Sequence, residues 1–203
     1  MRHWIRVSQL KLFDSHQDAL VDGHRGRITY LPGFADADTA HAWFVQLHAE
    51  VPWRSERREM YDREVDVPRL VGGFRLDRAA GSMPRAILDA AQRVIDGLRV
   101  PFNSVGLNLY RDGRDSVAPH NDHLNEIRKG FPIALVSLGA TRRMTIRAKA
   151  QPRAVVHVDL ESGSLLVMDY ATQLHYTHAV PKTAAPVGER ISLAFRVKPV
   201  AAV

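Results

Sequence analysis

Seven short β-rich runs crowd the second half of the chain: NSVGLNLY, PIALVSLG, RMTIRAK, AVVHVDL, GSLLVMDY, LHYTHAVP and RISLAFRV. Gly, Pro, Asp and Ser punctuate them, and that pattern predicts a β-sandwich or barrel from about Asn103 onward. The first half follows a different grammar. GRITYLPGF reads as a short strand, Ile28 to Leu31, closed by a Pro-Gly turn. Ala40, Trp43, Phe44 and Leu47 then recur at helical spacing, with Asp36 or Asp38 placed to cap the start. A second helix is expected from about Pro84 to Leu98, where Ile87, Leu88, Ala91, Val94, Ile95 and Leu98 make one apolar stripe. No polar linker separates the halves. The expected class is mainly β with flanking helices, an α+β fold.

With 203 residues, 45% hydrophobic and 25% charged, the chain can bury one well-formed domain. It contains no cysteine, which excludes disulfides, thiolate chemistry and Cys-based zinc sites. The opening MRHWIRVSQLKLFDS lacks the apolar core of a signal peptide. No apolar run approaches the roughly 20 residues of a membrane span. A soluble, cytoplasmic protein with no membrane partner is the simplest reading, although the absence of cysteine would also suit a secreted one; a monomer is expected, on no feature of the sequence. A formal charge of +6 favours acidic partners such as nucleic acid.

The chemistry concentrates in YRDGRDSVAPHNDHLNE, residues 110–126. Asp122 follows His120 by two positions, so in extended chain both side chains project to one side. LHYTHAVP offers His175 and His178 as a third ligand. Two imidazoles and one carboxylate on one face of a metal are the donor set of non-haem Fe(II) oxygenases, leaving positions open for a co-substrate and O2. Zinc more often takes a closed tetrahedral set. H-x-D is a weak pattern by itself in a chain with ten histidines.

The final strand adds weight. In RISLAFR, alternation puts Arg190, Ser192, Ala194 and Arg196 on one face and Ile191, Leu193 and Phe195 on the other. Six residues of strand span about 20 Å, and two guanidinium arms at its ends suit a dicarboxylate, each able to grip one carboxylate. In VGLNLY, Asn108 and Tyr110 likewise share a face.

Taken in order, NLYRDGRDSVAPHND, PIALVSLGATRRMTIR, GSLLVMD, HYTHAVP and RISLAFR resemble the AlkB-like family of Fe(II)/2-oxoglutarate dioxygenases, with GRITYLPGF and VDVPRLVGGF also similar upstream. The similarity spans roughly residues 12–198. It implies a double-stranded β-helix, or jelly-roll, core at 101–198, with residues 1–100 as an N-terminal helical and strand extension carrying a substrate lid, all in one domain of residues 1–203. It implies that His120, Asp122 and His178 hold Fe(II); His178 is preferred to His175 because it directly precedes AVP. Asn108, Tyr110, Arg190, Ser192 and Arg196 fall at 2-oxoglutarate-binding positions, Arg190 with Tyr110 at the distal carboxylate and Arg196 near the iron-chelating end. The implied reaction consumes O2 and 2-oxoglutarate, yields succinate and CO2, and oxidises an N-alkyl group on a DNA or RNA base so that it leaves as formaldehyde.

Substrate residues are less well marked. Family members that repair bases have aromatic residues after VPR to stack a flipped base. Here Arg69 is followed by LVGGFRLDRAAGSMP, with Phe74 the one aromatic, and H-x-D is followed by His123 and Leu124. Arg142, Arg143, Arg147, Lys149 and Arg153 on one expected hairpin, and Arg54, Arg57 and Arg58 after Trp53, are candidate phosphate contacts. The same chemistry directed at a small molecule or a protein is the alternative.

Overall fold

The two helices of the first half form because each carries one apolar face and a defined stop. The computed structural model describes residues 19–60, 63–77, 83–151 and 153–199, with backbone alone for 58–60 and 63–66. The opening segment, Arg58's side chain and most of DRAAGSMP therefore lie outside the described residues. Helix α1 (Ala37–Glu50) starts at Asp36, whose carboxylate accepts the Thr39 backbone N–H at 2.8 Å. That bond satisfies one of the free donors of the first turn. Helix α2 (Arg85–Leu98) begins after Pro84 and stops at Arg99 in the left-handed region, φ 55°. Ala40, Trp43 and Leu47 of α1, and Ala86, Ile87, Ala90, Ala91 and Val94 of α2, are buried in one cluster.

That cluster fills the space between the helices and one face of an eight-stranded sheet. In chain order its strands are β1 (Ala19–Val21), β2 (Ile28–Leu31), β3 (Arg54–Met60), β4 (Arg63–Arg75), β5 (Ser104–Tyr110), β7 (Ile133–Gly139), β10 (Ser164–Met168) and β12 (Arg190–Arg196). Their order across the sheet is β1-β2-β10-β7-β12-β5-β4-β3. A second sheet holds β6 (Val117–His120), β8 (Arg142–Ala148), β9 (Val155–Leu160) and β11 (Tyr176–Val180), ordered β6-β11-β8-β9. A short helix, α3 (Thr172–His175), leads directly into β11.

The alternation in β12 now has a location. Ile191, Leu193 and Phe195 join the helix-side cluster, whereas Ala194 joins a second cluster with Tyr110, Leu135, Leu166, Met144, Ile146, Val158 and Leu160. That second cluster draws on both sheets, so the molecule has three layers: helices, large sheet, small sheet. Burying a Leu, Ile or Phe side chain stabilises the fold by roughly 1.5–3 kcal/mol, so both interfaces contribute strongly. Because β12 lies between β5 and β7, it is no edge strand, and both of its faces are buried.

Gly139 closes the β7–β8 turn at φ 81°, and a Cβ there would strike the Glu189 carbonyl and the Phe44 ring. Among the described residues, no helix is long and apolar enough to cross a membrane.

Candidate metal centre and 2-oxoglutarate pocket

Strand register builds the core of the site. In the antiparallel β6–β11 pair, His178 stands directly opposite His120, and their ring centroids lie 4.3 Å apart. The chain leaves β6 immediately after His120, and Asp122 swings back beside the pair. His120 Nε2 is 3.9 Å from Asp122 Oδ1. One donor atom from each of His120, Asp122 and His178 lies within 4.8 Å of the others. Among the described residues this is the one such group of three or more His, Asp or Glu. His175, the alternative, ends α3 and is not part of it.

The donors are set up as ligands. His120 Nδ1 lies 2.9 Å from the Ala118 carbonyl, so Nδ1 carries the proton and Nε2 keeps its lone pair. Arg196 holds the far oxygen of Asp122, with Nε at 2.8 Å and Nη2 at 2.7 Å from Oδ2. Oδ1 is left facing the histidines. His178 is buried, while the His120 side chain is 41% exposed. The cluster is therefore closed on one side and open on the other, as a reactive metal site requires.

Protonation states fit the same purpose. Burial, helped by the neighbouring His120, pushes His178 down to about 4, and burial also lowers His120. For Asp122, burial alone would raise the carboxyl, but Arg196 and the two histidines together hold it below its usual value. At neutral pH both imidazoles are free bases and the carboxyl is ionised, so a cation need not displace protons.

A stability prediction follows. Above pH 6.5, His178 is neutral folded or unfolded. As pH falls from 6.5 towards about 4, the unfolded chain takes up a proton that the folded site refuses, so stability drops. Below that value both states are protonated and the loss levels off. The total is on the order of 3 kcal/mol. Urea melts of the metal-free protein between pH 7 and 4 should show this slope, and His178→Gln should show a clearly shallower one, with the share due to His120 remaining.

A second group of side chains lines the inner face of the large sheet. Arg190 pairs across strands with Tyr110, and Ser192 with Asn108 on one side and Ser137 on the other. Arg190 is 1% exposed. Its Nη2 donates to Ser137 Oγ at 2.8 Å, but its buried Nε and Nη1 have no partner. A buried guanidinium with two idle donors calls for an anion. The Tyr110 ring has two cations close to it, with Arg190 Cζ 5.1 Å and Arg142 Cζ 5.6 Å from its centroid. Asn108 Oδ1 accepts from Arg69 Nε at 2.7 Å, and its amide nitrogen reaches Ser192 Oγ at 3.4 Å.

One cavity of about 1010 Å³ joins both groups, lined by the triad and by Asn108, Tyr110, Arg190, Ser192 and Arg196. That volume exceeds the need of one small keto acid and leaves room for a second molecule. The ligand set and the orphaned guanidinium together fit Fe(II) and an anionic keto diacid.

The expected substrate contacts divide. Arg69, His123 and Arg147 line the cavity, His123 and Arg147 being exposed. Two expectations, Phe74 and Arg142, need correction, while Arg143 and Lys149 stay exposed but are engaged within the protein. Phe74 shares its face of β4 with Leu70 and Gly72, and packs into the helix-side cluster rather than the cavity. Arg142 is 3% exposed; it donates to the carbonyls of Asp112, Asp115 and Pro181 and does not reach a nucleic-acid backbone. Its place was readable, because Arg142 alternates in step with the buried Met144, Ile146 and Ala148. Arg143, on the opposite face, is committed to a two-pronged pair with Asp159. Lys149 donates to Asn121 Oδ1 and to the Gln173 carbonyl rather than standing free. Ser137 and Gln173 entered the site unforeseen, since strand and helix positions so distant in sequence carry no local signal.

The family model described as the 2OG-Fe(II) oxygenase superfamily matches residues 27–196. The chain belongs to this superfamily. It is 31% identical over 193 residues to the alpha-ketoglutarate-dependent dioxygenase alkB homolog 3 of Bos taurus, covering 84% of this chain and 65% of that protein. To the DNA oxidative demethylase ALKBH2 of Bos taurus it is 34% identical over 188 residues, covering 83% and 66%. The chain thus spans about two thirds of the length of these curated relatives. Among solved structures, an oxidoreductase of the 2OG-Fe(II) oxygenase family from Burkholderia pseudomallei aligns with a TM-score of 0.56 at 17% identity, over 83% of this chain and 84% of that one. That likeness supports the superfamily's fold, and with it the jelly-roll expectation.

Proposed function

We propose that the protein is an Fe(II)/2-oxoglutarate-dependent dioxygenase that dealkylates N-alkylated bases of DNA or RNA. The observation that carries this reading is the convergence of His120, Asp122 and His178 beside a buried arginine with two unpaired donors. Support for the nucleobase comes from the similarity to alkB homolog 3 and to ALKBH2, whose name describes a DNA oxidative demethylase.

In this reading His120, Asp122 and His178 hold the iron, and Arg190, beneath Tyr110, takes the distal carboxylate of 2-oxoglutarate. When bound, iron and 2-oxoglutarate supply the oxidation: O2 is consumed, succinate and CO2 form, and an N-methyl carbon gains a hydroxyl and departs as formaldehyde. The chain's own work is positional. Arg196 fixes which Asp122 oxygen faces the metal. Asn108 and Ser192 line the floor between Arg190 and the triad, and Arg69 steadies Asn108. The buried His178 side excludes water, and the exposed His120 side admits substrate. His123 and Arg147 stand at the mouth, where a nucleotide's phosphates would pass. The single domain and soluble location read from the sequence belong to this same proposal.

The packing of Phe74 into the core favours a second reading, the same oxidation of a small molecule or a protein. Among the described residues, Tyr110 is the one Phe, Tyr or Trp lining the cavity. A panel of methylated oligonucleotides scored for formaldehyde and base mass separates the two. Formaldehyde release above the metal-free control supports base dealkylation. Background release alongside continuing succinate formation supports the second reading.

A further inference from the structure

We infer that Gln173 is a positioning residue for the metal centre, acting with Lys149 as a clasp that fixes the backbone of Asp122. Asp122 follows β6, in a loop with no strand partner, yet its carboxylate must meet two histidines held rigidly by the β6–β11 register. The Gln173 side chain supplies the missing constraint. Its Oε1 accepts the Asp122 backbone N–H at 2.9 Å across 51 residues of sequence, and Gln173 is 1% exposed.

The orientation of that amide is set from behind. Gln173 Nε2 donates to Thr172 Oγ1 at 3.3 Å, and Thr172 Oγ1 spends its own proton on the Asp169 carbonyl at 2.6 Å. Thr172 Oγ1 can then only accept, so the oxygen of the Gln173 amide is the end turned to Asp122. Gly26 packs against the same turn, where a Cβ would lie 2.8 Å from the Thr172 methyl.

Lys149 closes the ring. Its ammonium donates to Asn121 Oδ1 and to the Gln173 carbonyl, each at 2.9 Å, and its backbone N–H donates to the His175 carbonyl. The loop after β6, α3 and the end of β8 are thereby tied together. Because α3 runs straight into β11, the clasp links the segment bearing Asp122 to the segment bearing His178. Partners that orient a ligand in this way typically govern metal affinity by 10- to 100-fold.

The inference rests on the metal-centre reading, so its test starts with redox-stable Co(II) titrated into the metal-free protein. Wild type should bind one Co(II), and Asp122→Ala should not; failure at this step would overturn the metal reading itself rather than the clasp. With that established, Gln173→Leu should bind Co(II) about tenfold more weakly or worse. Hydrogen exchange in the peptide spanning Asn121–Asp122 should quicken while that of β12 stays unchanged, a pattern a general loss of packing would not give. Lys149→Met, on an exposed side chain, should weaken Co(II) binding several-fold. Wild-type affinity in a folded Gln173→Leu protein overturns the clasp. Should that variant not fold, wild-type affinity in Lys149→Met overturns it.

Discussion

Replacing Arg190 with methionine is expected to make the ligand-free protein more stable and to abolish its response to 2-oxoglutarate. The guanidinium is buried at the centre of the large sheet, with Nε and Nη1 unpartnered. An unmet buried donor costs about 1–3 kcal/mol, and replacing buried ionic groups by apolar ones of similar volume often gains about 1–4 kcal/mol. Methionine keeps the length, fills the volume and removes the unmet donors, at the cost of the bond to Ser137 and the interaction with Tyr110. In a protein of this size each kcal/mol moves the melting temperature by roughly 2–4 °C. Thermal melts with Co(II) present should therefore show Arg190→Met melting above wild type. Adding 2-oxoglutarate at about 100 times its Kd should raise wild type by about 2.7 kcal/mol and leave the variant unmoved. A variant that melts lower and still responds to 2-oxoglutarate would contradict the assignment of Arg190.

Asp122→Ala is expected to reduce iron-dependent turnover to background and to destabilise the metal-free protein as well. Turnover falls because one of three donors is gone. Stability falls because Arg196, which gives Asp122 two charge-assisted bonds, is left with a partly buried, uncompensated charge. The loss should be about 1–3 kcal/mol. Asp122→Ala combined with Arg196→Leu should recover much of that stability while turnover stays at background. Denaturant melts together with succinate formation test both halves. If the double variant recovers turnover, Asp122 is not a ligand.

Much of this site was legible because alternation in a strand assigns faces without knowledge of the fold. Arg190, Ser192 and Arg196 share the cavity face for that reason, and Asn108 and Tyr110 pair with the first two across β5. The same rule, applied to β8, would have turned Arg142 inward; counting charges along TRRMTIRAK instead grouped it with Arg143 and Arg147. Helix α1 was legible from a capping aspartate, Asp36 in the structure, and four apolar positions, three of them buried. Strand β4 was not, since Pro68, Gly72 and Gly73 argue against a strand interior. It is held by pairing with β5 and β3 rather than by its own propensity. The flank of β10 by β2 and the reach of Gln173 to Asp122 depend on contacts far apart in sequence, and no local pattern encodes them.

The most direct measurement is the visible spectrum of the protein under anaerobic conditions with Fe(II) and 2-oxoglutarate. A keto acid chelating iron held by His120, Asp122 and His178 should give a weak charge-transfer band that Asp122→Ala lacks. A featureless spectrum from well-folded wild-type protein, with both components in excess, would contradict the account at its centre.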